Sequence, residues 1–295
     1  HSQKIMEETA TAIDWLDFDP VENSAIHANI LATGNESGYI QMWDLDIMDS
    51  LECFFEFGRP NDMNNTKVHW HTDAITALKW NPLSRNIIAS GSMDTNVILW
   101  DLAASGSPTR IYRPKKGVIR AISWHPWEKD MFVALCSKRC LYIHDCRSKD
   151  NSQKIKLSET AESFSWSMCK PSSFFVGCET GNILQYDLRN LSVISSWKAH
   201  KDSVCGNFDI FLIDLSPIFG LPNSLTSCSD DNTIKLWNTS NDIPNCVYTK
   251  KFKNGVISLS PCMDEPGVIA YGLINDVVNV LDFSQFDQVK QDFGI

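Results

Sequence analysis

The sequence predicts an all-β protein, a β-propeller built from repeated small sheets. The first observation is a dipeptide, an aromatic or apolar residue followed by Asp or Asn, which recurs six times. The six copies are Trp43-Asp44, Trp100-Asp101, His144-Asp145, Tyr186-Asp187, Trp237-Asn238 and Leu281-Asp282. Their second residues are 57, 44, 42, 51 and 44 residues apart, close to the ~40–45 residues of a four-stranded blade. The second observation is that short β-prone runs alternate with turn residues between these copies.

The segment 71–102 contains one repeat in full. One apolar-polar alternation and two short β-prone runs are separated by turn residues, in the order 75–80, Asn81-Pro82, 87–90, 93–96 and 97–100. About 30 residues of this pattern predict three antiparallel strands.

The pair Trp100-Asp101, with Asp94 before it and His71 far upstream, resembles the WD-repeat family. In that family a histidine, a strand Ser or Thr, a turn aspartate and the tryptophan form a buried hydrogen-bonded tetrad, in which each polar group needs a partner. The resemblance implies two tetrads: His71, Ser90, Asp94 and Trp100, then His200, Ser227, Asp231 and Trp237. Ser37, Lys138, Thr180 and Asn275 replace the aspartate elsewhere, so we expect motif matching to find only two or three repeats.

The domain prediction is a single β-propeller over residues 1–295. Its six visible repeats are approximately 10–50, 71–113, 116–157, 158–198, 200–250 and 253–295. A propeller must pair its last blade with its first. We expect a seven-bladed ring whose first blade begins upstream of His1, and the alternative is a closed six-bladed ring.

A second tryptophan column and two insertions complete this pattern. Trp15, Trp80, Trp124 and Trp166 mark first strands and are predicted core residues. The insertion at 54–70 predicts an exposed loop. The apolar insertion at 211–225 either packs against its blade or docks a partner.

Composition excludes several classes of protein. The net charge of -10 argues against indiscriminate nucleic-acid binding by the whole surface. No apolar run approaches the ~18 residues of a membrane helix, and the first ten residues do not resemble a secretory signal. The ten cysteines lack a CxxC motif, which predicts thiols in a reducing compartment. Cys136 and Cys140 have no second pair to complete a zinc site, so no metal is predicted.

Three longer segments resemble the eukaryotic periodic tryptophan protein 1 family, over about residues 12–283. They are AIDWLDFDP with MWDLDIMDSLE, the whole of 71–102, and LYIHDCRS. The resemblance implies a seven-bladed nucleolar protein of large-ribosomal-subunit assembly, with chromatin and ribosomal-DNA roles. The acidic amino-terminal extension of the family is not in this sequence, and its loop near 61–66 is short and Asn-rich.

The sequence has no GxxxxGK[ST], HExxH, GxSxG or helix-opening GxGxxG motif, so neither an enzyme nor a cofactor is predicted. Binding is predicted from charge. Arg113, Lys115, Lys116, Lys138 and Arg139 belong to loops that meet on the narrow face of a propeller, as do Lys250, Lys251 and Lys253. Such a patch could hold phosphates or an acidic peptide, and the alternative is a set of solvated turns.

Two successive repeats end in Asp-x-Arg, at Arg147 and Arg189. This resembles the pattern by which propellers dock on the adaptor of a cullin-type ubiquitin ligase, and the alternative is an ion pair within the blade. The functional prediction is a non-catalytic scaffold for proteins of pre-ribosomal particles and pre-ribosomal RNA, in the nucleus and nucleolus. The alternatives are a ubiquitin-ligase substrate receptor and a histone-tail reader. Neither a membrane nor a small-molecule substrate is predicted.

Overall fold

The computed structural model describes residues 8–18, 28–45, 53–59, 70–114, 117–137, 139–148, 152–201, 213–218, 220–262, 265–275 and 277–294. The chain divides into two compact units, residues 1–154 and 155–295. No described helix is long and apolar enough to span a membrane.

The first unit is formed from antiparallel four-stranded sheets whose strands lie in chain order. Sheet 1 contains β1 (Ala10–Phe18), β2 (Ala28–Asn35), β3 (Ile40–Asp44) and β4 (Cys53–Phe57). Sheet 2 contains β5 (Ile75–Trp80), β6 (Ile87–Ser92), β7 (Val97–Asp101) and β8 (Ser107–Tyr112). Sheet 3 contains β9 (Ile119–Trp124), β10 (Met131–Cys136), β11 (Cys140–Asp145) and β12 (Ser152–Lys156).

The second unit repeats the same meander. Sheet 4 contains β13 (Ala161–Trp166), β14 (Ser173–Cys178), β15 (Asn182–Asp187) and β16 (Ser192–Lys198). Sheet 5 contains β17 (Ile213–Ser216), β18 (Ser224–Ser229), β19 (Thr233–Asn238) and β20 (Asn245–Lys251). Sheet 6 has three described strands, β21 (Val256–Pro261), β22 (Val268–Leu273) and β23 (Val278–Asp282), and the helix α1 (Asp287–Phe293) follows it. The predicted all-β propeller fold with six repeats is confirmed.

Sheets within the first unit pack by one repeated rule. The first strands of successive sheets lie against each other, and third-strand side chains join the same clusters, so Met42 packs with Trp80, and Leu99 with Trp124. Thr76 donates a hydrogen bond to the carbonyl of Ile119 in the next sheet. This packing on both sides explains why the third strands are apolar on both faces.

The tryptophans predicted to mark the first strands differ in how far this packing buries them. Trp80, Trp124 and Trp166 are buried, as predicted. The prediction is wrong for Trp15, which is 51% exposed. Trp80 is covered by side chains of sheet 1, such as Met42, and among the described residues of the first unit no sheet lies against Trp15 in the same way. A seventh blade stays a prediction, as do the single domain and its repeat boundaries.

Sheet 6 has an exposed face where the other sheets have a buried one. The residue immediately before the repeated dipeptide is 0–5% exposed in five sheets. These residues are Met42, Leu99, Ile143, Gln185 and Leu236. Their counterpart Val280 is 67% exposed.

We expect this difference in burial to appear as a difference in the free energy of unfolding between matched variants. Leu99→Ala should lower the free energy of unfolding by about 2–5 kcal/mol, because it leaves a cavity between two sheets. Val280→Ala, at the same position of its repeat, should change it by less than about 0.5 kcal/mol. Urea unfolding of the two variants checks this, and equal losses would contradict the packing described for sheet 2.

Candidate functional site

The polar residues of sheet 2 form a closed, buried network. Trp100 Nε1 donates to Ser90 Oγ at 2.7 Å, and Ser90 Oγ lies 2.7 Å from His71 Nε2. His71 Nδ1 lies 2.9 Å from Asp94 Oδ2. An indole N–H only donates and a carboxylate only accepts, so Ser90 donates to His71 and His71 Nδ1 carries the proton toward Asp94. Burial opposes the charge on Asp94, but hydrogen bonds from His71, Asn96 and Thr72 lower its pKa.

Sheet 5 contains the same network. Trp237 Nε1 donates to Ser227 Oγ at 2.9 Å, and His200 lies 2.8 Å from Ser227 and 3.1 Å from Asp231. Thr233 Oγ1 donates to Asp231 at 2.6 Å. Despite its burial, hydrogen bonds from His200 and Thr233 lower the pKa of Asp231 to about 2. In both sheets the structure brings the four predicted residues together and satisfies them internally, so they serve the blade and not a ligand.

Sheets 1 and 4 lack the complete network. In sheet 1 Trp43 donates to Thr33 at 3.0 Å, without an acid. In sheet 4 the positions of Ser90 and Trp100 are taken by Val176 and Tyr186, both buried. Sheet 1 thus keeps the tryptophan and its hydroxyl acceptor without the acid, whereas sheet 4 has lost both the hydroxyl and the tryptophan.

Sheet 3 replaces the network with an aromatic cluster around His144. The His144 ring lies 4.8 Å from that of Phe132 and 4.5 Å from that of Tyr112. Neither ring nitrogen has a hydrogen-bond partner among the described residues. Burial lowers the pKa of His144 to about 4.

The buried His144 should make the stability of the chain depend on pH. Its pKa is about 6.5 when unfolded and about 4 when folded, so the unfolded state binds more protons between these values. Stability from neutral His144 is therefore fully present above about pH 6.5 and is lost as the pH falls toward about 4. His144→Phe should lose less stability than the native chain between about pH 7 and pH 5, measured by urea midpoints. Parallel losses in both proteins would contradict this.

The segments that contain Arg113 and Arg139 lie together at one end of the strands of sheet 3, and we call this surface the basic edge. The amide of Ser137, in the turn after β10, donates to Val118 O at 2.9 Å, and Val118 N donates to Ser137 Oγ at 3.1 Å. Arg113 precedes Val118, Arg139 follows Ser137, and both arginines are exposed. Arg139 has the left-handed φ of 52° that closes this turn. Lys115, Lys116 and Lys138 lie outside the described residues.

In the other basic group, which is Lys250, Lys251 and Lys253, the Lys250 ammonium already contacts two aromatic rings. The Lys250 ammonium lies 5.4 Å from the ring centroid of Phe252 and 5.8 Å from that of Tyr271, which is a cation–π geometry. Lys251 and Lys253 are exposed.

Arg147 and Arg189 each form an ion pair with the aspartate of their own turn. Arg147 Nη2 lies 2.8 Å from Asp145 Oδ2, and Arg189 Nη2 lies 3.0 Å from Asp187 Oδ2. The two arginine side chains are still 62% and 77% exposed. An exposed ion pair contributes little stability, so both guanidinium groups stay accessible to a partner.

The aspartate of the repeated dipeptide has a structural role that the motif did not indicate. Its carboxylate accepts the amide two residues later, at 2.9 Å for Asp101 and Ala103 and at 2.8 Å for Asp282 and Ser284. This contact closes the turn after the third strand. The sequence also gave no signal for Arg110, which donates to the carbonyls of Cys146 and Ser148 and so fixes the turn that carries Arg147.

The apolar insertion is partly described. Ile218, Leu221 and Leu225 are buried, the first two in a cluster with Phe283, which favours packing against the blade over docking. Phe211, Leu212 and Phe219 lie outside the described residues. In the insertion at 54–70, Phe54 is 50% exposed, and residues 60–69 are not described.

The described part of the chain contains neither a metal-binding cluster nor a disulfide bond. No cluster of three or more His, Cys, Asp or Glu residues there could hold a metal ion. The nine described cysteines are thiols, and Cys136 and Cys178 are fully buried.

Comparison with known proteins agrees with these repeats. Residues 64–101 and 191–238 match the family model "WD domain, G-beta repeat". These two stretches end at the dipeptides of sheets 2 and 5, which contain the complete networks. The prediction that only two or three repeats would match is confirmed.

Relatives match over longer stretches. The chain is 29% identical over 279 residues to "Periodic tryptophan protein 1 homolog" of Drosophila melanogaster, covering 92% of this chain and 58% of that protein. It is 25% identical over 180 residues to "Histone acetyltransferase type B subunit 2" of Eremothecium gossypii, covering 60% of this chain and 40% of that protein. The chain thus spans about half the length of these relatives.

A solved structure supports the same fold. A chain of the "Crystal Structure of Mitotic Checkpoint Complex" superposes with a TM-score of 0.68 at 12% identity, covering 85% of this chain and 70% of that one. At this identity the likeness concerns the fold alone. Together with the six sheets and the two networks, these matches show a chain with WD repeats and a β-propeller fold that is similar to the periodic tryptophan protein 1 family.

Proposed function

We propose that the chain is a non-catalytic scaffold that binds proteins and pre-ribosomal RNA during assembly of the large ribosomal subunit, in the nucleus and nucleolus. WD-repeat propellers generally mediate protein–protein interactions and are generally non-catalytic. The polar networks of sheets 2 and 5 are satisfied within their own blades, which leaves the exposed turns as the surface for partners. Similarity to periodic tryptophan protein 1 supports the nuclear assignment.

The basic edge of sheet 3 is the observation that carries this proposal. Two hydrogen bonds join the segment after Arg113 to the turn before Arg139, and both arginines are exposed. Guanidinium groups suit phosphate and acidic side chains, since their planar fork binds two oxygens at once. On a chain of net charge -10 this local excess of cations favours a specific site over general adhesion to nucleic acid.

Crosslinking the tagged chain in nuclear extract, followed by identification of both RNA and protein, tests the proposal. Pre-ribosomal RNA and ribosomal proteins are the expected partners. Recovery of nucleosomes or of a ligase adaptor in their place would overturn it.

Two other candidates each have one observation in favour. Similarity to a histone acetyltransferase subunit favours a histone-binding protein. The exposed guanidinium groups of Arg147 and Arg189 favour docking on a ubiquitin-ligase adaptor. Changing both arginines to alanine should abolish co-purification of the adaptor under the second candidate and leave pre-ribosomal association unchanged under our proposal.

A further inference from the structure

Cys136 and Cys140 lie directly opposite each other at the end of the β10–β11 hairpin. They are separated by a three-residue turn, residues 137–139. Both belong to the same buried cluster, with exposed fractions of 0% and 6%, so their side chains lie on one face of the sheet. We propose that these two thiols are an oxidative modification site, which closes as a cross-strand disulfide when the chain meets a small-molecule disulfide of the glutathione class.

The hairpin register supplies the required geometry. Residues directly opposite in an antiparallel pair have Cα atoms roughly 4.5–5.5 Å apart. A disulfide needs a Cα separation of about 4.4–6.8 Å, so the backbone does not have to move far. The left-handed backbone of Arg139 already closes the turn between the two cysteines.

The surroundings give the two sulfurs different roles. The Lys154 ammonium lies 5.5 Å from the ring centroid of Tyr142, and the Tyr142 and Cys140 side chains beside it raise its pKa. Cys140 is the less buried of the two thiols, 6% exposed against 0% for Cys136, so it is the group that meets the glutathione disulfide first. Cys136 is deeper, and burial raises its pKa to about 12, which suits a thiol that reacts only once its neighbour has been activated.

The chemistry follows ordinary thiol–disulfide exchange. The Cys140 thiolate attacks one sulfur of oxidised glutathione, forms a mixed disulfide and releases one glutathione thiolate, which takes up a proton. Cys136 then loses its proton and attacks the Cys140 sulfur, releasing the second glutathione. The two cysteines are oxidised by two electrons, and one glutathione disulfide is reduced to two thiols.

The disulfide would join β10 to β11 on either side of the turn that contains Arg139. Ser137 of this turn also hydrogen-bonds Val118, so the bond would restrain the edge where the two basic segments meet. The modification itself does not depend on the proposed function, because it concerns only the two thiols and the hairpin between them.

Sheet 4 contains a matched control. Cys178 occupies the position of Cys136 in its own repeat, is equally buried, and has a pKa raised to about 12 by burial. The residue at the position of Cys140 is Asn182, so Cys178 has no opposing thiol. A difference between Cys136 and Cys178 therefore reports the pairing and not the burial.

The folded chain is equilibrated in glutathione buffers of increasing oxidised fraction, alkylated, and digested with trypsin. Trypsin cuts after Lys138 and Arg139, so the peptides 130–138 and 140–147 stay joined only if a disulfide links them. We expect the joined pair, two hydrogen atoms lighter than the sum, to account for most of Cys136 in the oxidised buffers, while Cys178 stays reduced.

Variants assign the bond. Cys136→Ser and Cys140→Ser should each abolish the joined peptides, and Cys146→Ser should retain them, because Cys146 shares the second peptide. Absence of joined peptides in the most oxidised buffer, with the chain still folded, would overturn the proposal. So would their loss in Cys146→Ser, or oxidation of Cys178 in the same range. If Cys140→Ser fails to fold, Cys140→Ala supplies the same test.

Discussion

Replacing Trp100 with alanine is expected to lower the free energy of unfolding by about 3–5 kcal/mol. The indole is 1% exposed and its N–H is donated to Ser90. The substitution removes the packing of a large ring and opens a cavity. It also leaves the buried Ser90 Oγ short of one hydrogen bond, which adds the cost of an unsatisfied polar group.

Trp15 is the matched control, because it is the same residue type in a first strand and is 51% exposed. Trp15→Ala should cost less than about 1 kcal/mol, since most of the lost surface already meets water. Urea unfolding followed by circular dichroism measures both variants. Similar losses at the two positions would contradict the buried network in sheet 2.

The repeats could be predicted because blade geometry constrains local residue types. The dipeptide recurs since its first residue fills the core of each sheet and its aspartate or asparagine closes the next turn, as Asp101 does. The tetrad members were predictable for a related reason. A buried Ser, His or Asp needs a hydrogen-bond partner, so losing one member favours losing the group it pairs with, as at Ala134 and His144 of sheet 3.

Contacts between sheets were less predictable, because they depend on what lies against a residue and not on its own type. Trp15 has the sequence context of Trp80 but not its neighbour, so the core prediction was wrong there. Arg110 holds the turn of Arg147 across a separation of 36 residues, and no local pattern announces that contact. The ion pairs of Arg147 and Arg189 were one of two alternatives in the sequence, and the side-chain geometry shows these pairs while leaving both guanidinium groups exposed.

Reversing the charge of the basic edge is expected to have the largest effect on binding. Changing Arg113, Lys115, Lys116, Lys138 and Arg139 to glutamate should weaken association with pre-ribosomal RNA by about 10²–10³-fold at ~0.1 M salt. Each lost phosphate contact removes counterion release, so the slope of log affinity against log salt should fall by about 0.7 per contact. Filter binding across a salt series measures affinity and slope together.

A comparison of two double variants separates the effect of the basic edge from the effect of net charge. Arg113→Glu with Arg139→Glu and Lys129→Glu with Lys170→Glu change the total charge equally, and all four side chains are exposed. Lys129 lies in the turn between β9 and β10, at the opposite end of those strands from Arg139, so the second pair leaves the basic edge intact. If the edge binds phosphate, the first pair should weaken binding at least tenfold more than the second, with equal thermal midpoints. Equal losses would mean that only long-range charge matters, and unchanged affinity with an unchanged salt slope would remove RNA from the proposed function.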